Sequence, residues 1–323
     1  MRLFLRALLC AALLAPSVEA SAQTWPSRPI KLIVPTGPGA ATDVMARLLA
    51  DGVSKALGQP MVVENMPGAS GILAHQTVAR APSDGYTLLF SNTSGLAINL
   101  VSFKKLPYDP ARDFASVAMV CSLGPQMLSV STGLPVKSVS EFITYAKANR
   151  GKLSMGFDNT AGAAAFAAKL LNSRADLGLI EVPYRAPAQM TQDIAGGTTQ
   201  VMISSIAAAR AVVDAGKVRR LAITSASRFP GLPDLPSLSE TVPGVVMNGW
   251  FAVVAPAGVP LDVVRRLNAV IGEYLKGPEI QKRLLDFGLA TEGAGTPEST
   301  ALFIRQEQDN WRALAKELNI EPQ

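Results

Sequence analysis

Strand and helix patterns alternate along this chain, and a loop of small residues follows several of the predicted strands and leads into a helix. In the first third, the sequence predicts strands at residues 30–34, 60–64 and 86–90, with helices at 43–56 and 72–81 between them. A strand, a helix and a second strand in this order form a parallel pair with a right-handed crossover. The sequence therefore predicts an α/β protein built on a mainly parallel sheet.

The alternation is interrupted near residues 122–128 and then resumes, which predicts a second α/β unit. Two strands, at 114–121 and 126–130, flank the interruption. Later strands are predicted at 153–157, 180–183, 200–204, 221–224 and 248–254, with helices at 138–148, 163–171, 187–195 and 206–215. The last helices are predicted at 260–276, 278–287 and 297–318, and we expect them to cover the first unit.

We therefore expect two lobes, each a mainly parallel sheet flanked by helices, with a ligand cleft between them. Residues 23–125 and 249–323 are predicted to form lobe 1, and residues 126–248 to form lobe 2, so the chain crosses twice between them. A length of 323 residues suits two domains, since one domain takes roughly 150 residues.

Residues 1–22 have the pattern of a secretory signal peptide. Arg2 and Arg6 precede an apolar run, and Ala20 and Ala22 form a small-residue cleavage site around Ser21. A membrane anchor is the alternative, but the run is shorter than the ~20 apolar residues that span a bilayer. We expect cleavage after Ala22, a periplasmic location, and a mature protein that is not inserted in the membrane.

Composition and charge exclude several classes of function. The formal net charge is +5 at pH 7 with no Lys/Arg-rich block, so no nucleic-acid partner is predicted. Beyond the signal peptide the chain has one cysteine, Cys121, and one histidine, His75. This excludes an intrachain disulfide and a histidine-cluster metal site, and we predict no metal and no cofactor. We expect Cys121 to be a small buried residue and His75 to be packed or solvated rather than catalytic.

Three loops of lobe 1 are candidate ligand sites. At the start of a helix, free backbone N–H groups and the helix dipole favour an anion. The candidate residues are Thr36, Gly37, Gly39, Ala40, Ala41, Thr42 and Asp43 in the first loop, Gly68, Ala69, Ser70 and Gly71 in the second, and Ser94 in a third loop at 91–95. Two alternatives are plain connecting turns and a dinucleotide site, although the first loop matches G-x-G-x-x-G only in part. Asp43 either contacts ligand or holds its own loop.

Lobe 2 contributes a second set of candidates. They are Asp158, Asn159, Thr160, Ala161, Gly162, Ala163, Tyr184, Arg185, Ser204 and Ser205. The guanidinium of Arg185 suits bidentate binding of a carboxylate, or it is a solvated surface group. Tyr184 either bonds a ligand or packs, and the two serines either face the cleft or cap the next helix.

Several short motifs together resemble one known family. They include residues 25–35 (WPSRPIKLIVP), 63–65 with 67–69 (VEN, PGA), 84–89 (DGYTLL), 106–110 (LPYDP), 182–184 (VPY) and 255–258 (APAG). In this order and spacing the chain resembles the exported solute receptors of tripartite tricarboxylate transporters, also called Bug receptors. The matching pieces span nearly the whole mature chain.

The resemblance implies a two-lobe, type II-like periplasmic binding protein fold and a receptor without catalytic residues. The receptor would close on a small carboxylate and deliver it to membrane permease subunits, and we expect it to be a monomer. In that family, backbone amides of the first-lobe loops hold the carboxylate, here residues 36–42 and 68–71. A sensor on the same fold and an exported α/β enzyme are the alternative functions.

Two departures from the family pattern bear on the ligand. Ala161, Ala163, Ala164 and Ala165 stand where relatives usually have hydroxyl residues, and Ser204 occupies a position that is often Asp. An acid there would suit a ligand ammonium, so its absence disfavours an amino acid. We expect a simple or aromatic acid.

Overall fold

The computed structural model describes residues 25–158, 162–184 and 186–322. The predicted signal peptide and its cleavage site lie outside the described residues. Within the described ranges, no helix combines the length and apolar character that crossing a membrane requires.

The described residues form strands close to the positions predicted from the sequence. They are β1 (Ile30–Val34), β2 (Met61–Asn65), β3 (Thr87–Asn92), β4 (Phe114–Ser131), β5 (Ser154–Asp158), β6 (Ile180–Tyr184), β7 (Val201–Ser205), β8 (Val218–Ile223) and β9 (Asn248–Pro256). The two strands predicted on either side of residues 122–128 are one long strand, β4. Its pairing with β9 shifts register between Met119 and Cys121 and again between Cys121 and Gly124, so the irregular sequence marks bulges within a strand.

The helices also follow the prediction, except that the short helix at Asn99–Ser102 was not predicted. They are α1 (Ala41–Leu57), α2 (Ile72–Ala79), α3 (Asn99–Ser102), α4 (Val139–Ala148), α5 (Ala163–Arg174), α6 (Pro187–Ala195), α7 (Ile206–Asp214), α8 (Leu261–Leu275), α9 (Pro278–Asp286) and α10 (Pro297–Glu317). Short 3₁₀ turns lie at Ala69–Gly71 and Leu238–Glu240, and a π-helical turn, Ser94–Ile98, runs into α3. The predicted loop at 91–95 is wrong, because Ser91 and Asn92 belong to β3 and the π-helical turn begins at Ser94. The buried apolar side chains of Leu96, Ala97 and Ile98 pack this turn into the core.

The strands form one curled mixed sheet with the order β2-β1-β3-β9-β4-β7-β5-β6, and β8 pairs with β4. β1 is parallel to β2 and β3, and β5 is parallel to β6 and β7. Each antiparallel pair among the described strands involves β4 or β9. The two predicted parallel units are therefore present, one at each end of the sheet. Strands β9 and β4 lie between them and run antiparallel to their neighbours.

Helix α1 shows how the sequence pattern positions a helix start. Met45, Leu49 and Val53 recur at three- to four-residue spacing and are buried in one cluster with β1 and α8. The helix ends at Gly58, whose φ of 68° is the left-handed conformation that glycine adopts without steric cost. Because α1 follows β1 directly, its N-terminus lies at the carboxyl edge of the sheet.

The one histidine and the one cysteine of the described chain are both buried. Cys121 has no exposed surface, and burial raises the pKa of its thiol to about 12. His75 is also fully buried, within α2. The expectation of an inert, packed cysteine is confirmed, and of the two alternatives for His75 the packed one is correct.

Candidate functional site

A cavity of about 210 Å³ lies where the two parallel units meet. It is lined by Thr42, Asn92, Thr93, Ser94, Gln126, Gly162, Ala163, Ala164, Ser205, Gly249, Trp250 and Phe251. These residues come from both parallel units and from the crossing strands β4 and β9. No charged side chain of the described chain is among them, so the described part of the wall offers a bound charge only dipoles and hydrogen bonds.

Helix starts from both parallel units converge on this cavity. Thr42 lies in the first turn of α1, and Ser94 begins the π-helical turn that leads into α3. Gly162 is the N-cap of α5, and Ser205 is the N-cap of α7. A helix start presents unpaired N–H groups and about half a positive charge. The cavity therefore suits a small anion.

The polar side chains around the cavity divide into occupied and available groups. Asn92 Oδ1 accepts from the Gly95 amide at 3.1 Å, and Thr93 Oγ1 accepts from the Trp250 amide at 2.8 Å. Ser205 Oγ accepts from the Ala208 amide at 3.2 Å and so caps α7. By contrast, the hydroxyl groups of Thr42 and Ser94 make no hydrogen bond to another described residue. These two are the hydroxyl groups best placed to bond a ligand.

Asp43 shapes the first loop rather than facing the cavity. Its carboxylate is buried and accepts from the Gly39 amide at 2.8 Å and from Asn65 Nδ2 at 2.7 Å, and it pairs with Arg47 at 3.0 Å. Burial opposes ionisation, but the hydrogen bonds from Arg47, Asn65 and Gly39 outweigh it and hold the pKa of Asp43 below its usual value. Asn65 Nδ2 also donates to the Thr36 carbonyl at 3.0 Å. Of the two roles considered for Asp43, holding its own loop is the one with visible contacts.

The rest of the first loop lies beside the cavity rather than in its wall. Thr36, Gly37, Ala40 and Ala41 are partly exposed, and Gly39 is exposed. No heavy atom lies within 4 Å of a Cβ built on Gly37 or Gly39, apart from the adjacent residues. The loop therefore leaves open space around its backbone.

The second predicted loop borders a different, larger cavity. Gly68, Ala69, Ser70 and Gly71 all have positive φ, of 140°, 46°, 55° and 83°. Ser70 lines a cavity of about 520 Å³ together with Phe157, Phe166 and C-terminal residues 318–321. A further cavity, of about 400 Å³, lies along α10. We favour the smaller cavity as the ligand site because the helix starts meet there.

The remaining candidate residues of lobe 2 lie outside the lining of the small cavity or outside the described residues. Tyr184 lies outside the small cavity, and its hydroxyl donates to Asp193 at 2.7 Å and bonds Thr199 at 2.7 Å. Ser204 is fully buried, and its hydroxyl donates to the Ser205 carbonyl at 3.3 Å. Asn159, Thr160, Ala161, Arg185 and the side chain of Asp158 lie outside the described part of the chain.

Sequence reasoning missed part of the cavity wall. Asn92, Thr93, Gln126 and Gly249 were not predicted as site residues. They lie next to predicted positions or on the crossing strands. Gln126 reaches the cavity through the pairing of β4 with β7, and Gly249 through the pairing of β9 with β4. Trp250 and Phe251 of β9 also line the cavity. Trp250 is 1% exposed and is part of the hydrophobic core as well.

Comparison with known proteins agrees with this architecture. The family model described as tripartite tricarboxylate transporter family receptor matches residues 45–320. A UPF0065 protein of Bordetella bronchiseptica is 37% identical over 319 residues, which is 98% of this chain and 93% of that protein.

Two solved structures share the fold over nearly the whole chain. An R. palustris protein solved with adipate is 34% identical with a TM-score of 0.84, over 93% of this chain and 100% of that one. MatC of Rhodopseudomonas palustris, with bound malate, is 30% identical with a TM-score of 0.77, over 90% of this chain and 99% of that one. The predicted two-lobe receptor fold is confirmed. The chain belongs to the tripartite tricarboxylate transporter receptor family and is a solute-binding receptor.

Proposed function

We propose that this receptor captures a small carboxylate in the 210 Å³ cavity and delivers it to the membrane permease subunits of a tripartite transporter. One observation carries the proposal. Several helix starts converge on this cavity, and none of the described residues that line it has a charged side chain. Backbone N–H groups and the hydroxyls of Thr42 and Ser94 would hold the carboxylate. Charge-assisted bonds of this kind contribute about 1.5–3 kcal/mol each. The adipate and malate in the two similar structures support a carboxylate ligand.

The far end of the ligand is proposed to be apolar. Trp250 and Phe251 form one side of the cavity, and Ala163 and Ala164 of α5 form another. Ser204 is fully buried next to Ser205 of the wall and carries no charge to pair with an ammonium group. A simple or aromatic acid suits these surroundings better than an amino acid does.

We also propose the predicted lobe boundaries and the periplasmic location. Pro125 of β4 pairs with Asn248 of β9, whereas the next residue, Gln126, pairs with Ser205 of β7. This change of partner supports a division into residues 23–125 with 249–323 and residues 126–248. We further propose a receptor that is exported after cleavage behind Ala22, acts as a monomer and performs no catalysis.

Native mass spectrometry of protein purified without refolding tests the ligand proposal, together with thermal shifts across adipate, malate, benzoate and glutamate. We expect a small acid that is lost on denaturation, and the largest thermal shift with benzoate, the one acid of the four whose far end is apolar. A preferential shift with the amino acid would contradict the apolar far end. An empty protein that shifts with no carboxylate would contradict the proposed ligand class.

A further inference from the structure

His75 makes two hydrogen bonds that connect the second loop to strand β3. Its Nδ1 lies 2.8 Å from the carbonyl oxygen of Gly71, in the second loop. Its Nε2 lies 2.7 Å from Oγ of Ser91, near the end of β3. Both His75 and Ser91 are completely buried, and neither lines the small cavity. The imidazole is therefore a bridge beneath the loops rather than a ligand contact.

The partners of the ring determine its tautomer. A carbonyl oxygen only accepts, so Nδ1 of His75 must carry a proton and donate to Gly71. In the neutral ring Nε2 is then an acceptor, and the Ser91 hydroxyl donates to it. Burial lowers the pKa of His75 to about 4, so the ring is neutral near pH 7. Both bonds are then satisfied without a buried charge.

Tyr108 and Asn99 extend the bridge to the π-helical turn. The Tyr108 ring stacks on the imidazole with centroids 5.1 Å apart, and its hydroxyl donates to the Gly95 carbonyl at 2.7 Å. Asn99 Nδ2 donates to the Tyr108 hydroxyl at 3.1 Å and lies 3.3 Å from the Ser70 carbonyl. We call His75, Ser91, Asn99 and Tyr108 the His75 cluster.

The His75 cluster binds carbonyl oxygens of both loops from the protein interior. The carbonyls of Ser70, Gly71 and Gly95 each accept a hydrogen bond from one of its members. A carbonyl oxygen directed at a bound carboxylate would repel it, so holding the Gly95 oxygen inward favours an anion beside Ser94 in the small cavity. The bonds also limit how far the two loops can move relative to each other.

The imidazole also determines the path of the turn that carries Ser94. A Cβ on Gly95 would lie 2.0 Å from the His75 ring, far inside contact distance. Glycine at 95 and the ring at 75 therefore fit together as a pair. This close approach at Gly95 fixes the position of Ser94, the residue before it, whose hydroxyl is available in the cavity wall.

We propose that His75 is a positioning residue for carboxylate capture: through the His75 cluster it ties the π-helical turn, whose Ser94 lines the small cavity, to the second loop and so fixes the position of that turn. This inference rests on the proposed function for its link to affinity. The positioning itself is a property of the free protein and can be measured without a ligand.

The test uses two variants and one matched control in the purified full chain. Tyr108→Phe keeps the stacked ring but removes the donor to Gly95. His75→Asn keeps an amide near the Nδ1 position and removes the bond to Ser91. The control is Val78→Ala, because Val78 lies on the same helix, is fully buried and belongs to an apolar cluster.

Amide hydrogen exchange of residues 68–71 and 91–98 at pH 7 is the first readout, and calorimetric affinity for adipate is the second. In both cluster variants we expect exchange to rise in the two segments together, by roughly tenfold. We also expect adipate binding to weaken by about tenfold. Val78→Ala should leave the exchange of the two segments, and the affinity, within about twofold of the parent.

Two results overturn the inference: unchanged exchange of the two segments in both variants, or looser segments with unchanged affinity. If the parent binds neither adipate nor another carboxylate, the proposed function fails. The exchange data still decide the positioning role, since joint loosening supports it and unchanged segments refute it.

Discussion

Trp311 of α10 packs edge-on against Phe166 of α5, with ring centroids 4.8 Å apart and planes at 87°. Both side chains are buried, at 3% and 2% exposure. Beside them, Nε and Nη2 of Arg174 donate to the two carboxylate oxygens of Glu317, each at 3.0 Å. The C-terminal helix is thus attached to α5, whose start forms part of the small cavity.

Trp311→Ala should lower the free energy of unfolding by about 3–5 kcal/mol, since it leaves a void beside Phe166. Glu317→Gln should cost less than about 1 kcal/mol, because the ion pair with Arg174 is solvent-accessible. Urea denaturation of the two variants measures both effects. Equal, small losses would show that the aromatic contact does not attach the helix.

Thr42→Val and Ser94→Ala should each weaken carboxylate binding by about tenfold, because each removes a hydroxyl that is available to the ligand. Neither change breaks a hydrogen bond to another described side chain, so the melting temperature of the free protein should stay nearly constant. Calorimetric titration with adipate measures the affinity.

Ser205→Ala is the matched control for these two variants. The Ser205 hydroxyl caps α7 by accepting from the Ala208 amide, so its loss should lower stability by about 1 kcal/mol. If Ser205→Ala affects affinity more than both hydroxyl variants do, the assignment of Thr42 and Ser94 as ligand contacts is wrong.

The free energy of unfolding should fall as the pH drops from 6.5 towards 4. The pKa of His75 is lowered from 6.5 to about 4 in the folded protein, so between these values the unfolded chain binds the proton and the folded chain does not. The stabilisation is complete above the unfolded pKa, and its loss over this window is on the order of 3 kcal/mol.

The groups that face the ring are the Gly71 carbonyl, the Ser91 hydroxyl and the rings of Tyr108 and Phe114. None of them carries a charge in this pH range, since burial raises the pKa of Tyr108 to about 12. Urea denaturation of the parent and of His75→Asn at several pH values isolates the histidine. Parallel stability curves for the two proteins would contradict the assignment.

Gly95→Ala should destabilise the protein by about 2 kcal/mol or more, because the new Cβ overlaps the imidazole of His75. The double variant Gly95→Ala/His75→Ala should lose less stability than the sum of the two single variants, since the smaller side chain at 75 removes the overlap. A double-mutant cycle by urea denaturation measures this coupling. Simple additivity would show that the two positions do not constrain each other.

Much of the fold could be predicted because local pattern and burial agree. The apolar spacing of α1 and its terminal Gly58 specify a helix and its end, and Ser138 caps α4 as its sequence indicates. The bulges of β4 and the π-helical turn at Ser94 were not predicted. Pairing with β9 determines where β4 bulges, and packing against the core determines the π-helical turn. Neither contact leaves a pattern in the local sequence.

The candidate site divides in the same way. Thr42, Gly162 and Ser205 could be predicted because each is a small or polar residue that follows a strand and opens a helix. Gln126 and Gly249 could not, since they reach the cavity through the antiparallel pairing of two strands that are distant in sequence. The positioning role of His75 could not be predicted either. It depends on contacts with Tyr108 and with the π-helical turn, and the local sequence around His75 does not indicate them.

A crystal structure of the receptor grown with adipate tests the central claim most directly. The account predicts the carboxylate of the ligand in the 210 Å³ cavity, within hydrogen-bond distance of backbone amides at the helix starts and of the Thr42 or Ser94 hydroxyl. An acid bound instead in the 520 Å³ cavity beside Ser70 and Phe166 would contradict it.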